Sequence, residues 1–253
     1  MRLQNKTAII TGGADGVGKA VVKAFAQEGA VTYFLDIKEE EGVKLQNELR
    51  AGGGNVTFIK ADVSLGEDAD RVVEQILKEQ DGIDILVNNA AINYKFTIDE
   101  LPEDKWDRII AVNLKAVYNY CHRIIPIMAK RGGGSIINMG SVTSLVGVAD
   151  FPAYVASKTG MLGLTRALAI DHAHQGIRVN IICPSNIRTA LMDWQFASSP
   201  DPQAEIKRIM DLHLINRMSE PWEIAEFVVY LASDKATFIT GASFPFDGGY
   251  TTR

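Results

Sequence analysis

Short apolar segments alternate with amphipathic segments along almost the whole chain. The apolar segments are rich in β-branched residues and carry few polar positions, as expected of strands buried on both faces of a sheet. The predicted strands are residues 6–11, 31–36, 56–60, 84–88, 135–138 and 177–182. The amphipathic segments between them predict helices near residues 16–28, 38–50, 66–79, 103–130 and 152–174.

Strands that alternate with helices in this way are typical of a parallel sheet covered by helices on both faces. We therefore predict an α/β fold, a Rossmann-like doubly wound parallel sheet of about seven strands, in a single domain over residues 1–253. The irregular region 184–220 follows the end of a strand, where such sheets bind ligands, so we expect it to form a substrate lid. Ser64 and Glu67 predict a capping box at the start of the third helix.

Composition narrows the class of protein further. Of the 253 residues, 47% are hydrophobic and 23% are charged, and the net charge of -5 gives no electrostatic reason to expect nucleic acid or an anionic membrane as partner. No apolar run reaches the about 18 residues of a membrane span. The first residues lead directly into a strand and the two cysteines make no disulfide framework, so we expect a cytoplasmic protein. The four histidines lack the spacing of metal ligands, and we expect no catalytic metal.

A glycine-rich turn follows the first predicted strand and opens the first helix. Glycines at this place permit a tight turn and a close approach of backbone to phosphate, while the amino end of the helix attracts the anion. The pattern favours a dinucleotide site, with a purely structural turn as the alternative. The residues of this turn that we predict to bind the cofactor are Gly12, Asp15, Gly16, Val17 and Gly18.

Asp36 ends the second predicted strand and is followed by Ile37. A carboxylate in this position can accept both hydroxyls of an adenosine ribose and repels a 2′-phosphate. The glycine turn carries Asp15 rather than a basic residue, and Lys38 is the one nearby cation that argues otherwise. This pattern of charges favours NAD as the cofactor, with NADP as the alternative.

Two further strand ends carry residues that suit a dinucleotide. Asp62 and Val63 follow the third strand, where the adenine edge would lie. Asn89 and Ala90 follow the fourth strand, where the backbone would pass close to the ribose. Each pair could instead simply terminate a strand.

Tyr154 and Lys158 stand four residues apart in a predicted helix, so their side chains share one face. An ammonium held beside a phenol favours the phenolate, so we expect the pKa of Tyr154 to lie below its usual ~10. Such a tyrosine can pass a proton to or from an alcohol or carbonyl oxygen. Two ordinary surface residues would show the same spacing.

Together these residues resemble the short-chain dehydrogenase/reductase family, and the resemblance runs nearly end to end. The matching positions are Thr11, Gly12, Gly16, Gly18, Asp62, Asn88, Asn89, Ala90, Asn113, Ser141, Tyr154, Lys158, Pro184 and Asp247 to Gly249. The resemblance implies a catalytic tetrad of Asn113, Ser141, Tyr154 and Lys158. In that tetrad Ser141 would hold the substrate oxygen and Tyr154 would transfer the proton. Lys158 would lower the pKa of the tyrosine and reach the nicotinamide ribose, and Asn113 would position a water that relays protons.

The same resemblance implies residues around the nicotinamide and the substrate. Thr189 matches a threonine that holds the carboxamide, with Pro184 and Ile187 beside it, and Tyr154 and Lys158 also face the cofactor. By position relative to the tetrad, the predicted substrate residues are Ser141, Thr143, Tyr154, Asn93, Asn186, Trp194 and His213. Two family glycines are replaced, by Ala91 and Ser185. Ser185 either bonds the substrate or the carboxamide, or only shapes a local turn.

The predicted function is NAD-dependent interconversion of a secondary alcohol and its ketone, the alcohol being a polyol, a sugar acid or a cyclic alcohol. An NADPH-dependent reductase of 3-oxoacyl or other carbonyl substrates is the first alternative. A non-catalytic, dinucleotide-sensing protein is the second, and the intact tetrad argues against it. The resemblance also implies a homotetramer, with a homodimer as the alternative.

Overall fold

A computed structural model of the protein describes residues 1–189, 192, 196 and 199–252. Its strands are β1 (Thr7–Thr11), β2 (Val31–Asp36), β3 (Val56–Lys60), β4 (Ile85–Asn88), β5 (Gly134–Met139), β6 (Ile177–Pro184) and β7 (Ser243–Phe246). Its α-helices are α1 (Gly16–Gln27), α2 (Glu39–Ala51), α3 (Gly66–Glu79), α4 (Glu103–Ile110), α5 (Ala116–Lys130), α6 (Pro152–His172), α7 (Pro202–Asp211) and α8 (Pro221–Ala232).

The seven strands form one sheet in the order β3-β2-β1-β4-β5-β6-β7, and every neighbouring pair is parallel. The chain runs outward from β1 to β3 and then returns to place β4 on the other side of β1. Between β1 and β4 the carboxyl ends of the strands therefore open a crevice, which is where sheets of this kind bind ligands. The predicted doubly wound α/β fold is confirmed.

Helices cover both faces of the sheet, so that the strands are buried on both sides. On one face α3, α5 and α6 pack through residues such as Ile76, Ile124 and Met161. On the other face α1 and α8 pack through residues such as Phe25 and Val228. Burial on both faces explains why the strands are almost continuously apolar in sequence.

Most predicted elements lie within two residues of their observed bounds. The predicted helix 103–130 is interrupted by a π-helical turn, Ala111–Lys115, between α4 and α5. The predicted capping box at Ser64 is wrong, because α3 begins after Leu65 and has no side-chain cap. The hydroxyl of Ser64 instead donates to Asp62 Oδ1 at 2.6 Å, a carboxylate at the end of β3.

The region 184–220 contains α7 and an isolated parallel bridge between Ile187 and Ser219. This bridge holds the start of the region against its end. Trp194, one of the predicted substrate residues, lies outside the described residues, and the role of the region as a lid stays a prediction. Within the part of the chain that the structure describes, no helix is both long and apolar enough to span a membrane.

Candidate active site

The glycine turn after β1 is packed so closely that side chains would not fit. A Cβ on Gly18 would overlap the carbonyl oxygen of Gly12, and a Cβ on Gly12 would lie 2.8 Å from Ala90 Cα. Gly12 also has φ +64°, a conformation that L side chains rarely adopt. Asn89 Nδ2 donates to the carbonyl oxygens of Thr11 and Gly12, at 3.0 and 2.9 Å. The residues after β4 thus hold the turn after β1 in place across the crevice.

A cavity of about 360 Å³ opens along this turn and the ends of β2 and β3. Ten of the residues predicted to bind a cofactor line it: Gly12, Asp15, Gly16, Asp36, Ile37, Asp62, Val63, Asn89, Ala90 and Thr189. The predicted cofactor residues outside its lining are Val17, Gly18, Pro184, Ile187, Tyr154 and Lys158. Close-packed glycines, a helix amino end and the cavity beside them together fit a dinucleotide.

Asp36 stands at the end of β2 with its carboxylate held by two backbone groups. Ala14 N–H donates to Asp36 Oδ2 at 3.1 Å, and Lys38 N–H donates to Asp36 Oδ1 at 3.1 Å. These bonds fix the position of the carboxylate and leave it facing the cavity that it lines. A fixed anion in this place suits a ribose diol and opposes a second phosphate.

Asp62 belongs to a hydrogen-bonded cluster that the sequence does not reveal. Arg108, from α4, donates to Asp62 Oδ2 at 2.9 Å and to Ser64 Oγ at 2.7 Å. Burial raises the pKa of Asp62, but the hydrogen bonds from Ser64 and Arg108 outweigh it and hold the pKa below its ordinary value. Arg108 also lines the cavity, so a cation stands at the end where Asp62 was predicted to meet adenine.

Lys158 is buried within α6, with 1% of its surface exposed. Its Nζ donates to the carbonyl oxygen of Met139, the last residue of β5, at 2.6 Å. Burial lowers the pKa of Lys158 to about 8, because the charged form loses its solvation. The same Nζ lies 5.6 Å from the centroid of the Tyr154 ring, as the four-residue spacing predicted.

Tyr154 is partly buried, and the Ser141 side chain lies near its hydroxyl. Burial raises the pKa of Tyr154, and the nearby Ser141 side chain opposes that rise without cancelling it. The predicted lowering of this pKa is therefore wrong. Desolvation of the phenol is the stronger effect, and the Lys158 ammonium is hydrogen-bonded to a backbone carbonyl and lies beside the ring.

Asn113 lies in the π-helical turn between α4 and α5 and is fully buried. Its Oδ1 accepts from Ile92 N–H at 2.8 Å, and its Nδ2 donates to the Ile92 carbonyl at 2.9 Å. Its Nδ2 also donates to Ser157 Oγ at 3.2 Å, and the Ser157 hydroxyl donates to the carbonyl of Tyr154 at 2.8 Å. Asn113 thus ties the segment after β4 to the helix that carries Tyr154 and Lys158.

The predicted substrate residues other than Ser141 and Tyr154 lie in different surroundings. Asn93 is exposed in the segment between β4 and α4. Thr143 is buried beside Ser141, and its hydroxyl has no hydrogen-bond partner among the described residues. The carbonyl of Asn186 accepts from Ser219 N–H at 3.3 Å.

His213 is buried and its two ring nitrogens are both engaged. Nε2 lies 2.7 Å from Ser185 Oγ, and Nδ1 lies 2.9 Å from the carbonyl oxygen of Ile209. A carbonyl can only accept, so Nδ1 carries a proton, and Nε2 shares its hydrogen bond with the Ser185 hydroxyl. His213 and Ser185 line a second cavity of about 360 Å³, beside the chain that follows β7. Ser185 thus has a partner that its position after Pro184 did not indicate.

No group of three or more His, Cys, Asp or Glu side chains among the described residues is arranged to hold a metal ion.

Comparison with known proteins assigns this architecture to a family. A family model described as enoyl-(acyl carrier protein) reductase matches residues 12–251. The cyclohexanol dehydrogenase of Acinetobacter sp. (strain SE19) is 35% identical over 253 residues, covering 100% of this chain and 97% of the relative. The 3-oxoacyl-(acyl-carrier-protein) reductase of Thermotoga maritima is 36% identical over 251 residues, covering 98% of this chain and 99% of the relative.

Solved structures agree. A Burkholderia xenovorans protein assigned to the short-chain dehydrogenases/reductases superimposes with a TM-score of 0.95 at 30% identity, covering 100% of this chain and 98% of the other. The chain belongs to the short-chain dehydrogenase/reductase family and is an oxidoreductase of that family, whose members use NAD or NADP.

Proposed function

We propose that this oxidoreductase uses NAD to interconvert a secondary alcohol and its ketone, with Tyr154 as the acid/base. The observation that carries the proposal is that the buried Lys158 Nζ lies 5.6 Å from the centroid of the Tyr154 ring, with Ser141 near the same phenol. Lys158 bonds the carbonyl of Met139, the last residue of β5, so this cluster adjoins the carboxyl end of that strand.

The charges around the cavity support NAD over NADP. The carboxylate of Asp36 is held by two backbone donors at the place where a ribose 2′-hydroxyl would bind, and it would repel a 2′-phosphate. Asp15, on the glycine turn, lines the same cavity but is paired with Lys38, so Asp36 is the carboxylate that disfavours the more highly charged cofactor.

Each residue of the cluster has a separate chemical task in this proposal. The bound nicotinamide supplies the site that accepts or gives the hydride. Ser141 hydrogen-bonds the substrate oxygen and directs it towards the phenol. Tyr154 gives its proton to the oxygen of a ketone, or takes the proton of an alcohol. A raised pKa keeps the phenol protonated in the free enzyme, which is the form that ketone reduction requires.

In this proposal Lys158 shifts the pKa of Tyr154 and supplies Tyr154 with protons. Its pKa of about 8 means that it changes charge within the working range of pH. Asn113 connects to the same helix through Ser157, which supports its predicted place in a proton path.

For the substrate we propose a cyclic alcohol, with a polyol or a sugar acid as the further candidates. The relative from Acinetobacter acts on cyclohexanol by its name, and it matches this chain over its whole length. The test is a panel of cyclic secondary alcohols, polyols and sugar acids, each supplied with NAD or with NADP, with formation of the reduced cofactor as the readout. Turnover of a cyclic alcohol with NAD is the expected result. Failure of every alcohol and of every matching ketone would contradict the proposal.

A second candidate function is reduction of 3-oxoacyl substrates with NADPH, which the Thermotoga maritima relative favours. Asp36 distinguishes the two. If NAD is the cofactor, Asp36→Ala should shift the preference towards NADP by about tenfold or more, since a repulsive charge is lost. If the wild type already prefers NADPH and Asp36→Ala leaves that preference unchanged, the reductase is the better assignment.

We further propose that the protein works as a homotetramer and that region 184–220 closes over the substrate. Light scattering of the purified protein tests the first statement, because a monomer would contradict it. Protection of the region from protease by NADH and a bound ketone tests the second.

A further inference from the structure

Asp15 and Lys38 form an ion pair across the cavity that fits the dinucleotide. Lys38 Nζ lies 2.9 Å from Asp15 Oδ2, which joins the chain just after β2 to the glycine turn after β1. Both residues line the cavity, and both side chains are about half exposed, at 48% and 57%. The pair is therefore accessible to a ligand that enters this cavity from solvent.

Asp15 also occupies the amino end of α1. Its Oδ1 accepts from Gly16 N–H at 2.7 Å, so the carboxylate caps the helix whose amino end is suited to a phosphate. An uncompensated carboxylate at this point would repel the pyrophosphate of any dinucleotide. The hydrogen bond from Lys38 is the largest cause that holds the pKa of Asp15 below its ordinary value, with a smaller contribution from Lys19. Lys38 is thus the principal countercharge of Asp15.

Lys38 is also the cation best placed to attract a 2′-phosphate. It is two residues beyond Asp36, the residue that faces the ribose in the proposed mode of binding, and its side chain lines the same cavity. Its ammonium is held by Asp15, and Asp36 and Glu41 act on it from nearby. A lysine that already has a carboxylate partner has less attraction left for a phosphate.

We propose that the ion pair between Asp15 and Lys38 is a second determinant of cofactor choice, because each residue restrains the charge of the other. Asp15 holds the Lys38 ammonium and so prevents it from pairing with a 2′-phosphate. In return, Lys38 neutralises the Asp15 carboxylate, so that the pyrophosphate can bind. The inference rests on the proposed use of NAD. Besides Asp36, it makes two further residues determinants of cofactor choice, and the effects of these two depend on each other. As an exposed ion pair it contributes little to folding, so its importance lies in binding.

The test is a double-mutant cycle of Asp15→Asn, Lys38→Met and the double variant, with Asp36 intact throughout. Asparagine keeps the helix cap and methionine keeps an unbranched apolar stem, so the fold should survive each change. The readout is the dissociation constant of NADH and of NADPH for the intact protein, measured by calorimetry at low salt without a substrate. Turnover does not enter the measurement.

Asp15→Asn should tighten NADPH by about tenfold while NADH changes little, because Lys38 is released towards the 2′-phosphate. Lys38→Met should weaken both cofactors by about three- to tenfold, because Asp15 then stands unpaired beside the pyrophosphate. The double variant should restore the affinity for NADH and lose the gain for NADPH.

The proposed coupling is contradicted if Asp15→Asn tightens NADPH binding equally in the wild type and in the Lys38→Met variant, since the gain would then come from lost repulsion alone. It is also contradicted if Asp15→Asn leaves both constants unchanged. A wild type that binds NADPH more tightly than NADH would contradict the proposed cofactor instead, so the two failures are distinguishable.

Discussion

The carboxyl edge of the sheet has two sides that handle charge in opposite ways. On the charged side, which contains Asp15, Asp36, Asp62, Lys38 and Arg108, carboxylates and cations are partly exposed and bond to each other or to backbone N–H groups. On the buried side, which contains Asn113, Ser141, Tyr154 and Lys158, the one ammonium is out of solvent. Among the described residues no carboxylate pairs with it, and its partner is the carbonyl of Met139.

This difference follows from what each side is proposed to do. A binding surface needs charges whose sign selects the ligand, and exposed pairs supply this at little cost in folding free energy. An acid/base site needs groups that gain and lose protons within the working range of pH, and burial lowers the pKa of Lys158 to about 8, although it raises that of Tyr154. Changes on the buried side should therefore affect turnover, and changes on the charged side should affect cofactor affinity.

The largest expected effect is that of Lys158→Met on the buried side. The variant should lower kcat by about 10²–10⁴-fold, the usual size of a lost acid/base contribution, because Tyr154 loses the ammonium beside its ring. Steady-state kinetics with the best substrate of the panel measures the effect. Arg108→Met, on the charged side, is the matched control and should keep kcat within about threefold. A variant at Lys158 that retains more than a tenth of wild-type kcat would contradict the division between the two sides.

The second effect concerns the way in which the free energy of unfolding depends on pH. The native pKa of Lys158 is about 8 and its ordinary value is 10.5, so between these limits the unfolded chain binds the proton that the native protein has released. The free energy of unfolding should therefore rise with pH in the wild type relative to Lys158→Met, by about 3 kcal/mol across this window. Denaturant titrations of both proteins at a series of pH values measure the difference. A difference that does not depend on pH would mean that Lys158 is not desolvated in the native protein.

The smallest effect concerns Arg108 and the charged side. Arg108→Met removes the bonds to Asp62 and Ser64, and should raise the dissociation constant of NADH by about three- to tenfold, since Asp62 loses its fixed orientation. The free energy of unfolding should change by about 1 kcal/mol or less, because the Arg108 and Asp62 side chains are 40% and 27% exposed. Calorimetry and denaturant unfolding give the two values. Unchanged NADH binding would show that Arg108 lines the cavity without contributing to the binding of NADH.

The sequence predicted well those features of the site that depend on short stretches of chain. Asp36, Asp62 and Asn89 each end a strand, and parallel strands bring their carboxyl ends together, so these residues were predicted to meet in one place. Tyr154 and Lys158 lie one helical turn apart, which is also a local relation. Asp36, Asp62 and Asn89 all line the cavity, and the Lys158 ammonium lies beside the Tyr154 ring.

What the sequence did not predict depends on packing between distant elements. Arg108 reaches Asp62 from 46 positions away, and Ser185 meets His213 over 28 positions. The direction of the Tyr154 pKa was wrong because desolvation depends on what covers the phenol, and no local pattern reports it. The seventh strand, Ser243–Phe246, was missed because Pro245 lies inside it, which is tolerated at the edge of the sheet.

The role of Tyr154 is the central claim, and the variant Tyr154→Phe tests it most directly. Phenylalanine removes the hydroxyl while it keeps the ring, so turnover should fall below about one thousandth of the wild-type rate. NADH binding, followed by its fluorescence in the same preparation, should change by less than about threefold. Turnover within tenfold of the wild type, together with unchanged NADH binding, would show that another group moves the proton.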